Sequence, residues 1–387
     1  MYRSAIIPIT ALLLMGVSCS QAPDAASKEE TGKAKGGAEE LKYGIRVQSG
    51  PMDSILLKDY KPASSLVVQE TMVPKAKYPV IDIHSHTFMN GIKTSEDVAA
   101  WVRTMDEVGI EKSIVFTGAT GADFDKQVEL FKPYASRFQL WCDLETTNID
   151  APDYPQRAAA ELERCYRMGA RGIGELSDKG SGLQSEKRPR GKRLHYDDSR
   201  LDLLWKKCAE LKIPVNFHVA DHPSCWQPLG PNQERTPDFQ HFNLLDKDVP
   251  SYEELIAMSD RMLERNPKTT FIACHLRNQG NNLGELSKAM ERYPNLFLDI
   301  SARDYEIGRQ PRVAAKFLTR YRNRVMFGTD MGRGKEMYQG WWRLLETADE
   351  YLPGRVWWRI YGLELTPQVL ESLYRSNALK ILNWEKL

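Results

Sequence analysis

The stretch Val80-Ile81-Asp82-Ile83-His84-Ser85-His86 decides the fold class of this chain. It has the character of a buried strand that ends in two histidines, and no glycine-rich turn follows it. A doubly wound open sheet should carry such a phosphate-binding turn after its first strand. The stretch therefore favours a (β/α)8 barrel over an open α/β sheet.

Seven more short apolar runs follow, and they alternate with segments whose apolar residues recur every three or four positions, as in amphipathic helices. Eight strands alternating with helices over about 250 residues fit a (β/α)8 TIM barrel. The predicted strands are Val80–His86, Ser113–Thr117, Phe138–Leu144, Gly172–Leu176, Pro214–Val219, Thr270–His275, Leu296–Ile300 and Val325–Thr329. The predicted helices include Ser95–Val108, Pro155–Met168, Leu201–Leu211, Tyr252–Arg265, Leu283–Arg292 and Val313–Tyr321.

Further segments flank and interrupt this barrel. Residues 365–387 predict a C-terminal helix that packs on the barrel, and residues 41–78 predict an extended N-terminal segment. We therefore assign residues 41–387 to one barrel domain with an N-terminal extension. The connections over 176–196 and 220–249 are unusually long. Long loops at the carboxyl ends of barrel strands are where substrate pockets are built.

The first 40 residues predict an export signal and a tether. Arg3 precedes an apolar stretch, and Gly16-Val17-Ser18-Cys19 then resembles the cleavage site of a bacterial lipoprotein. We expect residues 1–18 to be a signal peptide, and residues 19–40 to be a lipidated Cys19 with a flexible tether. The alternative is a plain cleaved signal peptide. Lipidation predicts the bacterial cell envelope, with a membrane anchor that faces the periplasm or the cell surface.

Composition narrows the function classes. The chain carries 53 Lys+Arg against 52 Asp+Glu, a net charge of +1, which argues against a nucleic-acid partner. Its 6 cysteines are too sparse for a disulfide scaffold, so we expect mostly free, buried thiols. No apolar run reaches the roughly 18 residues needed to span a bilayer, which excludes a polytopic membrane protein. A homo-oligomer remains compatible with the sequence.

Ionisable side chains close five of the predicted strands. The two histidines of the first strand share a face, because residues i and i+2 of a strand point the same way. Such groups are costly at the ends of apolar strands unless they are paired or bind a ligand, and imidazole is the commonest ligand of Zn²⁺. The pattern predicts a metal centre in the barrel mouth. Its members are His84, His86, Glu175, His218, His275 and Asp330.

This set resembles the signature of the amidohydrolase superfamily: His-x-His on strand one, His on strands five and six, and Asp on strand eight. The flanking sequences Pro79–His86 and Phe327–Asp330, with the ending Ser372–Ala378, are similar to the amidohydrolase-related branch. That branch includes metal-dependent hydrolases, aromatic-acid decarboxylases and hydratases. The resemblance extends over roughly residues 55–387.

The resemblance implies roles for these residues. His84, His86, His218 and Asp330 would bind a divalent metal, and Asp330 would also take the proton of the activated water. His275 would bind a second metal or polarise the substrate. Zinc is the expected ion, and Mn, Fe or Co also suit nitrogen and oxygen ligands. Glu175 would either bridge two metals or contact an arginine or a substrate hydroxyl, so one or two ions remain open.

Three other residues are candidate contacts to a small-molecule substrate. Arg303 can bind a carboxylate in a bidentate fork or form a rim salt bridge. His222 and Trp226 lie in the long connection after the fifth strand. The basic run 187–193 is expected to be a solvated loop.

Several functions remain open from the sequence. The first is a metal-dependent hydrolase acting on an ester, lactone or amide bond. The second is a decarboxylase or hydratase with one metal, and the third is a binding lipoprotein that lost activity. Phosphoester hydrolysis is suggested by Gly174-Glu175 but not by the neutral charge balance. The number of bound metals and the release of CO₂ would separate the first two.

Overall fold

The computed structural model describes residues 41–42, 45–46, 50–51, 53–354 and 358–382. The predicted signal peptide, Cys19 and the tether to residue 40 lie outside these ranges. The chain forms two units, residues 1–66 and 67–387. In the first unit, β1 (Leu41–Lys42) pairs antiparallel with β2 (Ile45–Arg46), and a 3₁₀ turn spans Leu57–Asp59.

Eight parallel strands in the second unit form the predicted barrel. They pair in chain order within two sheets, β3-β4-β5 and β6-β7-β8-β9-β10. All eight predicted strands are present, with ends that differ by a few residues. They are β3 (Val80–His86), β4 (Ile110–Phe116), β5 (Phe138–Trp141), β6 (Ile173–Asp178), β7 (Val215–Val219), β8 (Phe271–Ala273), β9 (Leu296–Asp299) and β10 (Val325–Met326).

Backbone hydrogen bonds join the two sheets on both sides. Between β5 and β6, the Gly174 N–H donates to the Cys142 carbonyl at 2.9 Å. Between β10 and β3, the Ile83 N–H donates to the Phe327 carbonyl at 3.0 Å. The eight strands therefore close into the (β/α)8 barrel that the sequence predicts.

Helices alternate with these strands. Helix α1 begins at a capping box between Thr94 and Asp97 and ends at Gly109, whose φ of 95° suits a residue without Cβ. Helix α2 was not predicted, although Phe124, Val128 and Phe131 recur at helical spacing and pack on the core. The helices are α1 (Ser95–Val108), α2 (Gly121–Phe131), α3 (Tyr154–Met168), α4 (Asp202–Leu211), α5 (Thr236–Phe239), α6 (Tyr252–Arg265), α7 (Leu283–Arg292), α8 (Asp304–Arg309), α9 (Pro311–Arg320), α10 (Lys335–Glu346), α11 (Pro367–Glu371) and α12 (Asn377–Ile381). Among the described residues, none of these helices is both long and apolar enough to cross a bilayer.

An inner apolar cluster fills the barrel. It combines strand residues with residues of the C-terminal helix, which consists of α11, a π-helical turn over Ser372–Ser376, and α12. The Phe327 N–H donates to the Leu373 carbonyl at 2.9 Å and ties that turn to the barrel wall. The C-terminal helix thus packs on the barrel as predicted. The inner apolar cluster is Ile81, Ile83, Ile114, Phe116, Trp141, Ile272, Met326, Ala378, Leu379 and Leu382.

The basic run 187–193 is mostly exposed, as expected of a solvated loop, but two of its arginines pack inward. The side chains of Arg188 and Arg193 are only 15% and 10% exposed, and they pair with Asp150 and Asp248. The loop folds back over acidic neighbours, so much of its positive charge is neutralised within the protein. The cysteine prediction is confirmed: the five cysteines that the structure describes are free and buried.

Candidate metal centre

Two glycines let the strands carrying the site approach closely. Gly174 has a φ of +147°, and a Cβ there would lie 2.8 Å from the Asn216 carbonyl oxygen on β7. A Cβ on Gly328 would lie 2.8 Å from the Cβ of His84. Neither position has room for a side chain, so glycine is required directly before Glu175 and two residues before Asp330.

The structure brings together all six residues predicted at the strand ends. We call them the carboxylate–imidazole cluster: His84, His86, Glu175, His218, His275 and Asp330. Their side chains converge in the barrel mouth, next to the inner apolar cluster, where the rings of His84 and Phe116 are 4.9 Å apart.

One side of this cluster contains the two histidines of β3. The Nε2 atoms of His84 and His86 are 3.3 Å apart. Oε2 of Glu175 lies 3.6 and 3.2 Å from these two nitrogens, respectively. Oδ1 of Asp330 lies 3.5 and 3.3 Å from the same atoms. Four potential ligand atoms therefore surround one point.

The other side contains the histidines that follow β7 and β8. Oε1 of Glu175 lies 2.5 Å from Nδ1 of His218 and 3.3 Å from Nε2 of His275. Oδ2 of Asp330 is 3.6 Å from Nε2 of His275. The two oxygens of Glu175 thus face the two sides of the cluster separately.

Hydrogen bonds behind the rings set the protonation of two imidazoles. Nδ1 of His275 is 2.9 Å from the Ser301 carbonyl, which only accepts; when a neutral ring donates to this carbonyl, its Nε2 presents a lone pair. Nδ1 of His84 is 2.9 Å from Oδ2 of Asp299. When His84 donates to Asp299, its Nε2 also presents a lone pair to the cluster. The lone pairs of His84 and His275 then face carboxylate oxygens, whereas Nδ1 of His218 is hydrogen-bonded to Oε1 of Glu175.

This donor set fits divalent cations. Lone pairs and anionic oxygens repel at these distances unless positive charge lies between them. Ligand atoms around a tetrahedral ion with bonds of about 2.1 Å are about 3.4 Å apart, and most separations in the cluster are 3.2–3.6 Å. The arrangement is suited to one ion on each side, with Glu175 between them.

The electrostatics of the cluster favour ionised carboxylates. Burial opposes the charge of Glu175, yet the imidazole of His218 and its other histidine neighbours bring the pKa of Glu175 well below its ordinary value. Burial likewise opposes the charge of Asp330, but His84 and His86 lower the pKa of that carboxyl. Burial disfavours protonation of His84, yet Asp299 and Asp330 raise its pKa well above the ordinary value, so a proton competes with a metal ion for its Nε2. The cluster therefore attracts positive charge.

Asp299, at the end of β9, supports the cluster and was not identified from the sequence. Its carboxylate accepts hydrogen bonds from the His84 ring, from the His275 N–H at 2.9 Å and from the Ser301 hydroxyl at 2.5 Å. Carboxylates that orient ligating histidines in this way are typical of metal sites. The available signal was an aspartate that closes an apolar strand, as Asp330 does.

A left-handed turn positions His275. The φ angles of His275, Leu276, Arg277 and Asn278 are 57°, 51°, 56° and 51°. This conformation costs about 1–2 kcal/mol per residue for side chains other than glycine. The Asn278 amide offsets part of that cost by donating to the carbonyls of Val219 and Ala220 at 3.0 and 3.1 Å. Strain of this kind concentrates at functional sites.

Two of the predicted substrate residues meet at Glu306. Nε of Arg303 lies 3.7 Å from Oε2 of Glu306, and Nε2 of His222 lies 3.3 Å from its Oε1. Arg303 is buried and donates to the Asn278 side chain, so it does not form the exposed rim salt bridge of the alternative hypothesis. Burial, with the charges of Arg235 and Arg303, lowers the pKa of His222 to about 3. His222 is therefore a neutral ring.

Trp226 lies in the loop after β7, and Glu306 lies on helix α8 next to His222. Trp226 donates its indole N–H to the Pro250 carbonyl at 3.0 Å, so its polar atom is used within the loop. Glu306 is 4% exposed, and neither of its carboxyl oxygens has a hydrogen-bond partner in the structure. Burial raises the pKa of Glu306. The sequence offered no periodic or motif signal for Glu306, which lies on the short helix α8.

Comparisons with known proteins agree with this fold. A family model described as Amidohydrolase matches residues 102–384, nearly three quarters of the chain. An uncharacterised TIM-barrel protein from Bordetella bronchiseptica aligns with a TM-score of 0.50 and 18% identity, covering 80% of this chain and 100% of its own. A proposed amidohydrolase from Staphylococcus aureus aligns with a TM-score of 0.50 and 14% identity, covering 79% and 99%. No curated protein gives a significant match.

Proposed function

Because the chain belongs to the amidohydrolase family, whose members are hydrolases or decarboxylases that use divalent metals, we propose that it is a metal-dependent hydrolase. Its substrate would be a small molecule with an ester, lactone or amide bond. The observation that carries the proposal is the orientation of Glu175, whose two oxygens face the two sides of the carboxylate–imidazole cluster. A bridging carboxylate with ligands on both sides suits a pair of ions, which favours hydrolysis over decarboxylation.

The residues that would hold the ions follow from the two sides of the cluster. His84, His86, Asp330 and Oε2 of Glu175 would bind one ion. His218, His275 and Oε1 of Glu175 would bind the other. Divalent ions held here would supply hydroxide at neutral pH and would polarise the bond to be cleaved. Zinc is the ion we propose, since imidazole and carboxylate are its ordinary ligands.

Side chains in the barrel mouth would accept the proton of the attacking water and would bind the metal ions or the substrate. Asp330 is ionised and lies against both sides of the cluster, so it is the proposed acceptor for the proton of the attacking water. A neutral His275 that donates its Nδ1 proton to the Ser301 carbonyl has no proton on Nε2 to donate to a substrate. Between the two roles that the sequence left open, ligand and substrate polariser, this tautomer supports the ligand.

Buried Arg303 is the proposed contact for an anionic or strongly polar substrate group, because a guanidinium can bind a carboxylate in a bidentate fork. His222, which is neutral and adjacent to Glu306, is proposed to contact the substrate next to Arg303. A preference of the enzyme for uncharged apolar esters would contradict this assignment. Trp226 remains a proposed contact through its ring face, since its N–H is already used.

Metal content per chain tests the proposed function. We expect close to two divalent ions per chain in protein purified without chelator, and a marked loss of bound metal in Glu175→Gln. The same preparation should hydrolyse members of a panel of esters, lactones and amides. One ion per chain together with CO₂ release from aromatic acids would favour the decarboxylase. Protein that binds no metal after reconstitution would contradict the proposal and leave the binding lipoprotein.

We further propose that the protein is anchored in the bacterial cell envelope through Cys19. The support is the sequence pattern of residues 1–40, where a short signal is followed by a cysteine and a polar tether. Incorporation of labelled fatty acid into the protein, abolished in Cys19→Ser, would support the anchor. Secretion of unmodified protein would indicate the plain signal peptide instead.

A further inference from the structure

Cys274 contacts the carboxylate–imidazole cluster from the side of the barrel interior. The sequence pattern did not predict a role for it in that cluster. Its side chain is fully buried, and its Sγ lies 3.3 Å from Oε1 of Glu175. The same oxygen faces His218 and His275. One ligand atom from each of these four residues lies within 4.8 Å of all the others.

The strand preceding Cys274 explains its direction. Ile272 of β8 belongs to the inner apolar cluster, and residues i and i+2 of a strand point to the same side. The Cys274 N–H donates to the Phe217 carbonyl at 3.1 Å, which continues the pairing with β7 beyond the end of β8. Cys274 therefore projects into the barrel, at the boundary between the inner apolar cluster and the carboxylate–imidazole cluster.

We propose that Cys274 is a sulfur ligand of the ion held by His218, His275 and Glu175. This inference rests on the proposed metal-dependent function. The four atoms form a set of two nitrogens, one oxygen and one sulfur, a number that zinc binds tetrahedrally. On binding, the thiol would become a thiolate and release its proton to solvent.

The consequence is that the two metal positions differ in ligand softness. The position at His84, His86 and Asp330 offers only nitrogen and oxygen, which suits Mn, Fe or Co as well as Zn. The position at Cys274 adds a soft thiolate, which favours zinc and other thiophilic ions. A chain with this asymmetry would retain a thiophilic ion in the sulfur-containing position while the other position exchanges among divalent ions.

The competing interpretation is a neutral thiol that serves only as a hydrogen-bond donor. Sγ is 3.3 Å from the Phe217 carbonyl as well as from Glu175, so the S–H can donate to either oxygen. In that case Cys274 would orient Glu175 and would form no bond to metal. The two interpretations differ in one measurable respect, which is a metal–sulfur bond.

X-ray absorption at the zinc edge tests this bond in the unaltered protein. Metal-free protein reloaded with Zn²⁺ should show a sulfur scatterer at about 2.3 Å, beside nitrogen and oxygen at about 2.0–2.1 Å. Protein reloaded with Co²⁺ should show a sulfur-to-cobalt charge-transfer band in the near ultraviolet. We expect this band to disappear in Cys274→Ala. The matched control is Cys208→Ala, which removes another buried thiol, on helix α4, and should keep the band.

The outcomes separate this inference from the proposed function. Bound ions with only nitrogen and oxygen neighbours would overturn the role of Cys274 and leave the hydrolase proposal standing. Protein that takes up neither Zn²⁺ nor Co²⁺ would overturn both. A single bound ion with a sulfur neighbour would support the Cys274 ligand while contradicting the two-ion centre. If Cys274→Ala fails to fold, the zinc-edge measurement on the unaltered protein still decides.

Discussion

The interior and the mouth of the barrel are built from the same set of strands, but the interior contains apolar side chains and the mouth contains ionisable ones. The inner apolar cluster excludes charge, and its members from Ile81 to Leu382 are at most 8% exposed. Further along the strands, the carboxylate–imidazole cluster concentrates four imidazoles that are at most 9% exposed and two carboxylates that are 11% and 19% exposed. Burying such groups is expensive unless they are paired or bind a ligand. The contrast indicates that the interior provides stability, while the mouth gives up stability for chemistry.

The largest expected effect is on catalysis at the mouth. Asp330→Asn removes the proposed proton acceptor, and we expect the hydrolysis rate to fall on the order of 10²–10⁴-fold. The barrel should stay folded, because the backbone N–H of residue 330 still donates to the His84 carbonyl. Steady-state kinetics and circular dichroism would check both statements. Activity within a few-fold of the unaltered protein would contradict the role of Asp330.

The reverse pattern is expected for the inner apolar cluster. Ile114 is fully buried there, on β4. Ile114→Ala should lower the free energy of unfolding by about 2–5 kcal/mol, because it leaves a cavity. Denaturant unfolding measures this loss. Metal content per folded chain should remain unchanged, and a loss of metal in this variant would show that interior and mouth are more tightly coupled than we propose.

Substitution of Asp299 tests whether this carboxylate orients His84 and His275 for metal binding. In Asp299→Asn an amide N–H can face the Nδ1 proton of His84, which would turn the ring or shift its proton. We expect metal affinity to fall by about 10–100-fold, the usual effect of removing such an orienting carboxylate. Competition with a chromophoric chelator measures this affinity. The control is Asp106→Asn, an exposed aspartate paired with Arg137, which should bind metal normally.

The smallest effect is expected on the outer surface. Arg190 and Glu254 are 2.7 Å apart and about half exposed, so solvent screens their attraction. Arg190→Ala should change the free energy of unfolding by about 0.2–1 kcal/mol and leave the kinetics unaltered. If the same change alters turnover and its salt dependence, the basic run 187–193 has a role in substrate attraction that its internal ion pairs do not suggest.

The sequence predicted the fold closely because the helices and strands of the barrel have a regular spacing of apolar residues along the chain. Ser95–Val108, Tyr252–Arg265 and Leu283–Arg292 are helices over the predicted residues, and β3 spans the predicted Val80–His86. Helix α2 was missed although Phe124, Val128 and Phe131 recur at helical spacing and pack on the core. The six candidate ligands could be named because charged residues at the ends of apolar strands stand out in one dimension. Their roles as ligands remain a proposal.

Glu306 and Cys274 could not be identified in this way, and Asp299 was not identified although it also closes an apolar strand. Asp299 meets His84 across 215 residues of chain, and Cys274 meets Glu175 across 99. No local pattern encodes a contact between positions so far apart. Glu306 lies on a helix of only six residues, and its isolation from hydrogen-bond partners is a property of its surroundings.

By itself, the sequence determined the alternation of strands and helices and the presence of His-x-His at the end of the first strand. Only the tertiary structure decided how those histidines meet their partners. Strict alternation would place Ser85, not His84, on the same side as Ile81 and Ile83. The pairing of β3 with β4 shifts register between Asp82 and Ser85, so the strand departs from strict alternation at this point. Closure of the barrel then places the two oxygens of Glu175 between opposite sides of the cluster. Periodicity is set by neighbours in the chain, whereas a metal centre is set by atoms that only folding brings together.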